Sequence, residues 1–162
     1  MSAHSCPKAT DACCSPRDVI TLPDGLVGLP HLRRWILLDM DRDLPLQWLQ
    51  SLDEAGFGFP VTTPEYYHPH CAPAIPVELA AGLGAGVAGE VVVLIVTTVL
   101  PGGARLIGNL AAPLLVHTGS RLGVQHIVED EDLPLRQEID YVRFERAASL
   151  RREVGQRQEI GV

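Results

Sequence analysis

Residues Gly84 to Gly89, GAGVAG, carry the letters of the dinucleotide fingerprint G-x-G-x-x-G. That motif works when a strand enters it and a helix leaves it, so that a pyrophosphate meets the free N–H groups of the helix start. It also needs an acid about twenty residues further on for the ribose. Here a Val-rich strand pattern follows, and no Asp or Glu occurs from Val91 to Val128, so the segment reads as a surface loop. A second place is His68-Pro-His70-Cys71, whose imidazoles and thiol are zinc ligands by type, with Cys6, Cys13 and Cys14 available to complete a tetrahedron. No C-x-x-C pair exists, and Pro69 and Pro73 stiffen the histidine segment, so free thiols and loop histidines are expected. A small metal- or ligand-binding β-barrel using His68, His70 and Cys71 is the alternative function. The hydroxyls of Ser51, Thr62, Thr63 and Ser120 sit in no G-x-S-x-G elbow, and His117 and His126 have apolar neighbours, which favours structural histidines bonded to the backbone. The acidic run Glu129-Asp130-Glu131-Asp132 lacks the glycine and the twelfth-place Glu of a calcium loop; it reads as a solvated loop or, more sharply, as a face for a basic partner. No catalytic residue, cofactor or metal site is expected.

The elements that must position these groups are short. Fifteen Gly and thirteen Pro spread without a period favour many brief elements joined by turns. Strands are predicted at 19–23, 33–40, 46–52 and 57–63, with Asp24-Gly25 as a turn and Pro60 pushing its strand toward an edge or a bulge. IPVELA, from Ile75, fits a short strand or a helical turn, and Gly82 to Gly89 a loop. Val91 to Leu100 is the clearest strand, since eight of its ten residues are Val, Leu or Ile and the other two Thr. ARLIGNLAAPLLVHT and RLGVQHIVE, joined by Gly119-Ser120, read as a strand pair. Pro113 cannot donate to a ladder, so it implies an edge or a bulge and an open apolar docking strip. DYVRFERAASLRREV has good helix formers and Asp140 as a possible N-cap, which predicts a C-terminal helix. The fold class expected is mainly β: a compact antiparallel barrel-like or rolled sheet with short helices and a C-terminal helix. The organisation expected is a loosely ordered arm at 1–18, a β domain at 19–139 and a helical tail at 140–162.

Charge narrows the partners. The chain has 162 residues and a net charge of −7, and residues 19 to 139 hold fourteen acids against six bases. Such a body repels a phosphate backbone, so direct nucleic-acid binding is not expected and a basic protein partner is favoured. The longest uncharged apolar run is half the length of a membrane span, and the N-terminus has no apolar signal region. A cytoplasmic protein without membrane attachment is expected.

Three blocks carry a family likeness: ITLPDGLVGLPHLRRWILLD at 20–39, PLQWLQSLDEAGFGFPVTTP at 45–64, and the stretch from VVVLIVTTV to LPLRQEI at 91–139. In order and spacing they resemble the flagellar assembly factor FliW family, with WLQSL and NLAAPLLV the most specific parts. The N-terminal arm, the Gly/Ala-rich 69–90 segment and the chain past LPLRQEI depart from the family's pattern. The resemblance implies a compact, mostly β, barrel-like domain without catalytic activity. It also implies two partners: the translational regulator CsrA, whose repression of flagellin messenger RNA it antagonises, and flagellin itself. Trp48, Gln50 and Leu52 of the WLQSL box, Asn109, Leu110 and Pro113, and the acids Glu129, Asp130, Glu131 and Asp132 are the expected partner-binding residues. Core packing is the competing role for Trp48 and Leu110.

Overall fold

The computed structural model describes residues 15–40, 44–67, 75–84, 90–102, 105–129 and 134–159, with side chains in the last helix described through Arg152. Nine strands form one curled sheet: β1 (Ile20–Thr21), β2 (Arg34–Asp39), β3 (Gln47–Ser51), β4 (Gly58–Thr62), β5 (Val91–Val99), β6 (Leu106–Gly108), β7 (Leu114–His117), β8 (Gly123–Gln125) and β9 (Gln137–Glu138). The order is β1-β2-β3-β4-β5-β6-β9, with β7 on β5 and β8 on β7, and every strand pair is antiparallel. A bridge between Thr21 and Leu122, with Thr21 N–H donating to Arg121 O at 2.8 Å, draws β1 against the β7–β8 hairpin and curls the sheet toward closure. Helix α1 (Val77–Gly84) precedes β5, and α2 (Tyr141–Glu159) follows β9. The β-rich, barrel-like expectation with a C-terminal helix therefore holds.

Strand β5 divides two cores because its side chains alternate between its faces. Val92, Leu94 and Val96 face the inside of the curl, with Ile20, Leu22, Trp35, Leu49, Val61 and Leu114. Val93 and Ile95 face outward onto Leu46, Tyr67, Leu106, Leu110, Ile139 and Phe144, under the first turns of α2. Each fully buried aliphatic side chain contributes about 1.5–3 kcal/mol relative to exposure. Asp140 caps α2 as expected, its Oδ1 accepting from Val142 N–H at 3.1 Å and Arg143 N–H at 3.3 Å. No helix among the described residues is long and apolar enough to cross a membrane.

Two expectations change. Of the two readings of IPVELA the helical one holds, and the change is in the loop: α1 runs to Gly84 and takes in the start of the expected glycine loop at Gly82. ARLIGNLAAPLLVHT is also not one strand. Gly108 pairs with Thr97 and Leu114 with Leu94, so three residues of β5 are spanned by six of the facing chain. The three extra residues bulge out at Asn109–Pro113 between β6 and β7, and Asn109 N–H still reaches Val96 O at 3.2 Å. The bulge that Pro113 implies is there, whereas the free edge is not: β7 is paired on both sides, with β5 and with β8.

Candidate partner-binding surface

The WLQSL box closes the β3–β4 corner. Trp48 lies across from Pro60, its indole against Gly58, where any Cβ would overlap the ring. Its Nε1–H donates to Gln50 Oε1 at 3.0 Å. The Gln50 amide is 3% exposed, and its Nε2 reaches the carbonyls of Ser51, Ala55 and Phe57 at 3.1, 3.2 and 2.9 Å. Ser51 Oγ accepts from Asp53 and Glu54 N–H at 3.2 and 3.1 Å. Asp53 ties the loop back to β2: Oδ2 accepts from Arg33 N–H at 2.6 Å and Arg34 N–H at 2.8 Å, and Oδ1 from Arg34 Nε at 2.7 Å. Desolvation pushes the Asp53 carboxyl up, but the Arg34 N–H and guanidinium and the Arg33 N–H outweigh it and hold it below its ordinary value. Trp48 and Leu52 are half-buried, and Gln50 faces its own hairpin.

The backbone of the NLAAP bulge is occupied too. Asn109 Oδ1 accepts from Ala111 N–H at 3.2 Å and turns the chain. Leu110 is 0% exposed and fills the outer core, and Pro113 is buried. The carbonyls of Ala111, Ala112 and Pro113 accept from Val128 N–H at 2.9 Å, Gln125 Nε2 at 3.2 Å and His126 N–H at 2.9 Å. The open docking strip expected here is thus covered by residues 125–128, because a bulge needs a neighbouring segment to satisfy its freed backbone groups.

A cleft of about 340 Å³ opens beside the bulge. It lies where the inner core ends, walled by Leu26, Leu29, Phe59, Val96 and Ile107, and Asn109, Gln125, Leu135 and Arg136 line it too. Val27 stands at its rim on a two-residue turn between Leu26 and Leu29, whose N–H groups and carbonyls bond each other at 3.3 and 2.8 Å. Gly28 in that turn has φ 82°, the left-handed region that a turn of this kind reserves for glycine. Gln125 Oε1 accepts from Val27 N–H at 2.8 Å and so pins the turn to the bulge. Of the described residues expected to bind partners, only Asn109 lines this cleft. Val27, Leu29, Leu135 and Arg136 come from separate segments, and no local pattern in the sequence marks them as one site.

The remaining candidates sit apart. His117 is buried, with Nδ1 accepting from Ser120 N–H at 3.0 Å, while Ser120 Oγ donates to Leu83 O at 2.6 Å. Thr62 Oγ1 donates to Pro45 O. These groups act as structural ties. Gly84 ends a helix that comes before β5, the reverse of the strand–loop–helix order a dinucleotide site needs. Glu129 is exposed, and Asp130, Glu131, Asp132, His68, His70, Cys71, Cys6, Cys13 and Cys14 lie outside the described residues.

Comparison with known proteins agrees with the whole of this body. The family described as "FliW protein" matches residues 8–139. The flagellar assembly factor FliW of Thermotoga maritima is 31% identical over 123 residues, covering 75% of this chain and 83% of the relative. Flagellar assembly factor FliW 2 of Desulfotalea psychrophila is 34% identical over 113 residues, covering 70% and 74%. A crystal structure of the flagellar assembly factor FliW superposes with a TM-score of 0.67 at 23% identity, over 76% of this chain and 86% of that one. It shares the curled antiparallel sheet. With the match running through both cores, the WLQSL corner and the NLAAP bulge, the chain belongs to the FliW family.

Proposed function

We propose that this protein is a non-catalytic flagellar assembly factor that works in the cytoplasm by holding protein partners. The partners are the translational regulator CsrA, whose repression of flagellin messenger RNA it relieves, and flagellin. The observation that carries this reading is the family match across residues 8–139, with relatives that bear the name flagellar assembly factor. Charge supports it: a body with fourteen acids against six bases at 19–139 attracts a repressor that must itself be basic to hold RNA. Hydrogen bonding supports it as well, since Gln50 and Ser51 of the WLQSL segment and the Oδ1 of Asn109 are spent inside the fold, on holding surfaces in shape.

Contact with partners falls to the groups those segments leave accessible and to the acidic run further along the chain. Half-buried Trp48 and Leu52, Asn109 beside the cleft, and Glu129 with the following Asp130, Glu131 and Asp132 make the contact; Gln50, Leu110 and Pro113 support it from beneath. Titration calorimetry of the full chain against purified CsrA and against purified flagellin tests the reading, with stoichiometric binding to at least one expected. The absence of heat and of co-elution with either would sink it.

A further inference from the structure

The cleft beside the bulge differs from the rest of the surface in two ways. Its apolar wall is continuous with the inner core, and its rim carries Val27 at 66% and Leu135 at 69% exposure. Single exposed apolar residues are ordinary; two of them bordering a concavity floored by Phe59, Val96 and Ile107 leave core-like surface in water. The volume, about 340 Å³, suits one large side chain with its flanking backbone.

The charged and amide groups left over in the cleft are donors. Gln125 has both ends of its amide engaged, by Val27 N–H and Ala112 O, and Asn109 Oδ1 is taken by Ala111 N–H. Asn109 Nδ2, the Arg136 guanidinium and the exposed Thr98 hydroxyl remain, and none of the three has a hydrogen-bond partner among the described residues. The amide nitrogen and the guanidinium only donate, and no Asp or Glu among the described residues lines the cleft. An apolar floor with unengaged donors beside it fits an apolar side chain accompanied by a carboxylate. In a body with a surplus of acids, Arg136 is a local exception, so a carboxylate is accepted there and rejected over most of the remaining surface.

We propose that this cleft seats an apolar side chain of the protein partner, with a carboxylate of the same partner segment held by Arg136 and Asn109 Nδ2. The assignment rests on the adaptor reading above and names the surface that carries it. The guanidinium fork matches a carboxylate, and an anchor buried in a concave site with charge-assisted bonds at its edge is the arrangement that concentrates binding energy.

The test uses the full chain and two variants, Val27→Asp and Arg136→Glu, titrated calorimetrically with purified CsrA and with purified flagellin. Val27→Asp puts a carboxylate at the apolar rim, and Arg136→Glu repels the one to be bound. Each is expected to weaken the same partner by about tenfold or more, with urea midpoints unchanged because both side chains are exposed. If the parent chain binds and both variants bind equally well, the cleft is not the seat while the adaptor reading stands. If the parent binds neither partner, the adaptor reading falls and this assignment with it.

Discussion

The WLQSL corner is built from motif residues and the cleft beside the NLAAP bulge borders one, yet they use their polar groups in opposite ways. At the corner, Trp48, Gln50, Ser51 and Asp53 form a closed set, bonded within their own hairpin and accepting from the N–H groups of Arg33 and Arg34. At the cleft, Asn109 uses its oxygen to turn the chain and leaves its nitrogen unengaged, and Arg136 stands by a wall of core residues. The difference separates two reasons for a motif to be specific. A motif whose hydrogen bonds close on themselves fixes a shape, whereas one that leaves donors beside apolar surface offers a contact.

The comparison breaks if the bulge proves to be a contact strip after all, and Leu110 decides that with the largest effect. Its side chain is wholly buried beside Tyr67, Ile95, Leu106 and Phe144. Leu110→Ala should cost about 3 kcal/mol, mostly as an unfilled cavity. That corresponds to a fall of roughly 10 °C in the melting midpoint for a domain of this size. Thermal melts followed by circular dichroism measure it. A midpoint within a degree of the parent's would put Leu110 at a surface and undo the assignment.

How legible each region is in the sequence follows from the same physics. Strands β2 to β5 are marked by runs of apolar and β-branched residues, and their predicted spans agree with the structure to within about a residue or two. The β6–bulge–β7 stretch misleads because it is buried on both faces. ARLIGNLAAPLLVHT is apolar at nearly every position, so no alternation shows where three residues leave the ladder. Asn109 and Pro113 hold that information through turn chemistry, but only the pairing of 108 with 97 and of 114 with 94 reveals the size of the bulge. The cleft is the least legible feature. It joins residues near 27, 59, 107 and 136 through the curl of the sheet, and of these only the neighbour Asn109 carries a local signal.

Gln50 sharpens the comparison at the corner, with a smaller effect than Leu110. Leucine in its place keeps the volume but leaves the Trp48 indole N–H and the carbonyls of Ser51, Ala55 and Phe57 without their amide partner. Burying such groups unpaired costs 1–3 kcal/mol, so Gln50→Leu is expected to lose about 2 kcal/mol. Urea unfolding with an unchanged slope measures it. A variant as stable as the parent would mean that water replaces the amide, and the corner would no longer count as closed.

Asp53 gives the smallest effect and adds a dependence on pH. Asn in its place has one oxygen where the carboxylate offers two, so some of the bonds to Arg33 N–H, Arg34 N–H and Arg34 Nε are lost, at about 1 kcal/mol near neutrality. The folded-state pKa of Asp53 lies below its ordinary 3.8, so the folded state prefers the ionised form. The resulting stability is complete above that ordinary value and is lost as pH falls through the depressed one. Urea midpoints of the parent and of Asp53→Asn should therefore differ most near pH 7 and converge below about pH 4, where the unfolded-state carboxyl takes up its proton first. A gap that stays constant down to pH 3 would assign the tie to shape alone. Convergence would show that the charge of one carboxylate helps to close the corner, while the cleft, which no acid among the described residues lines, has no such handle there.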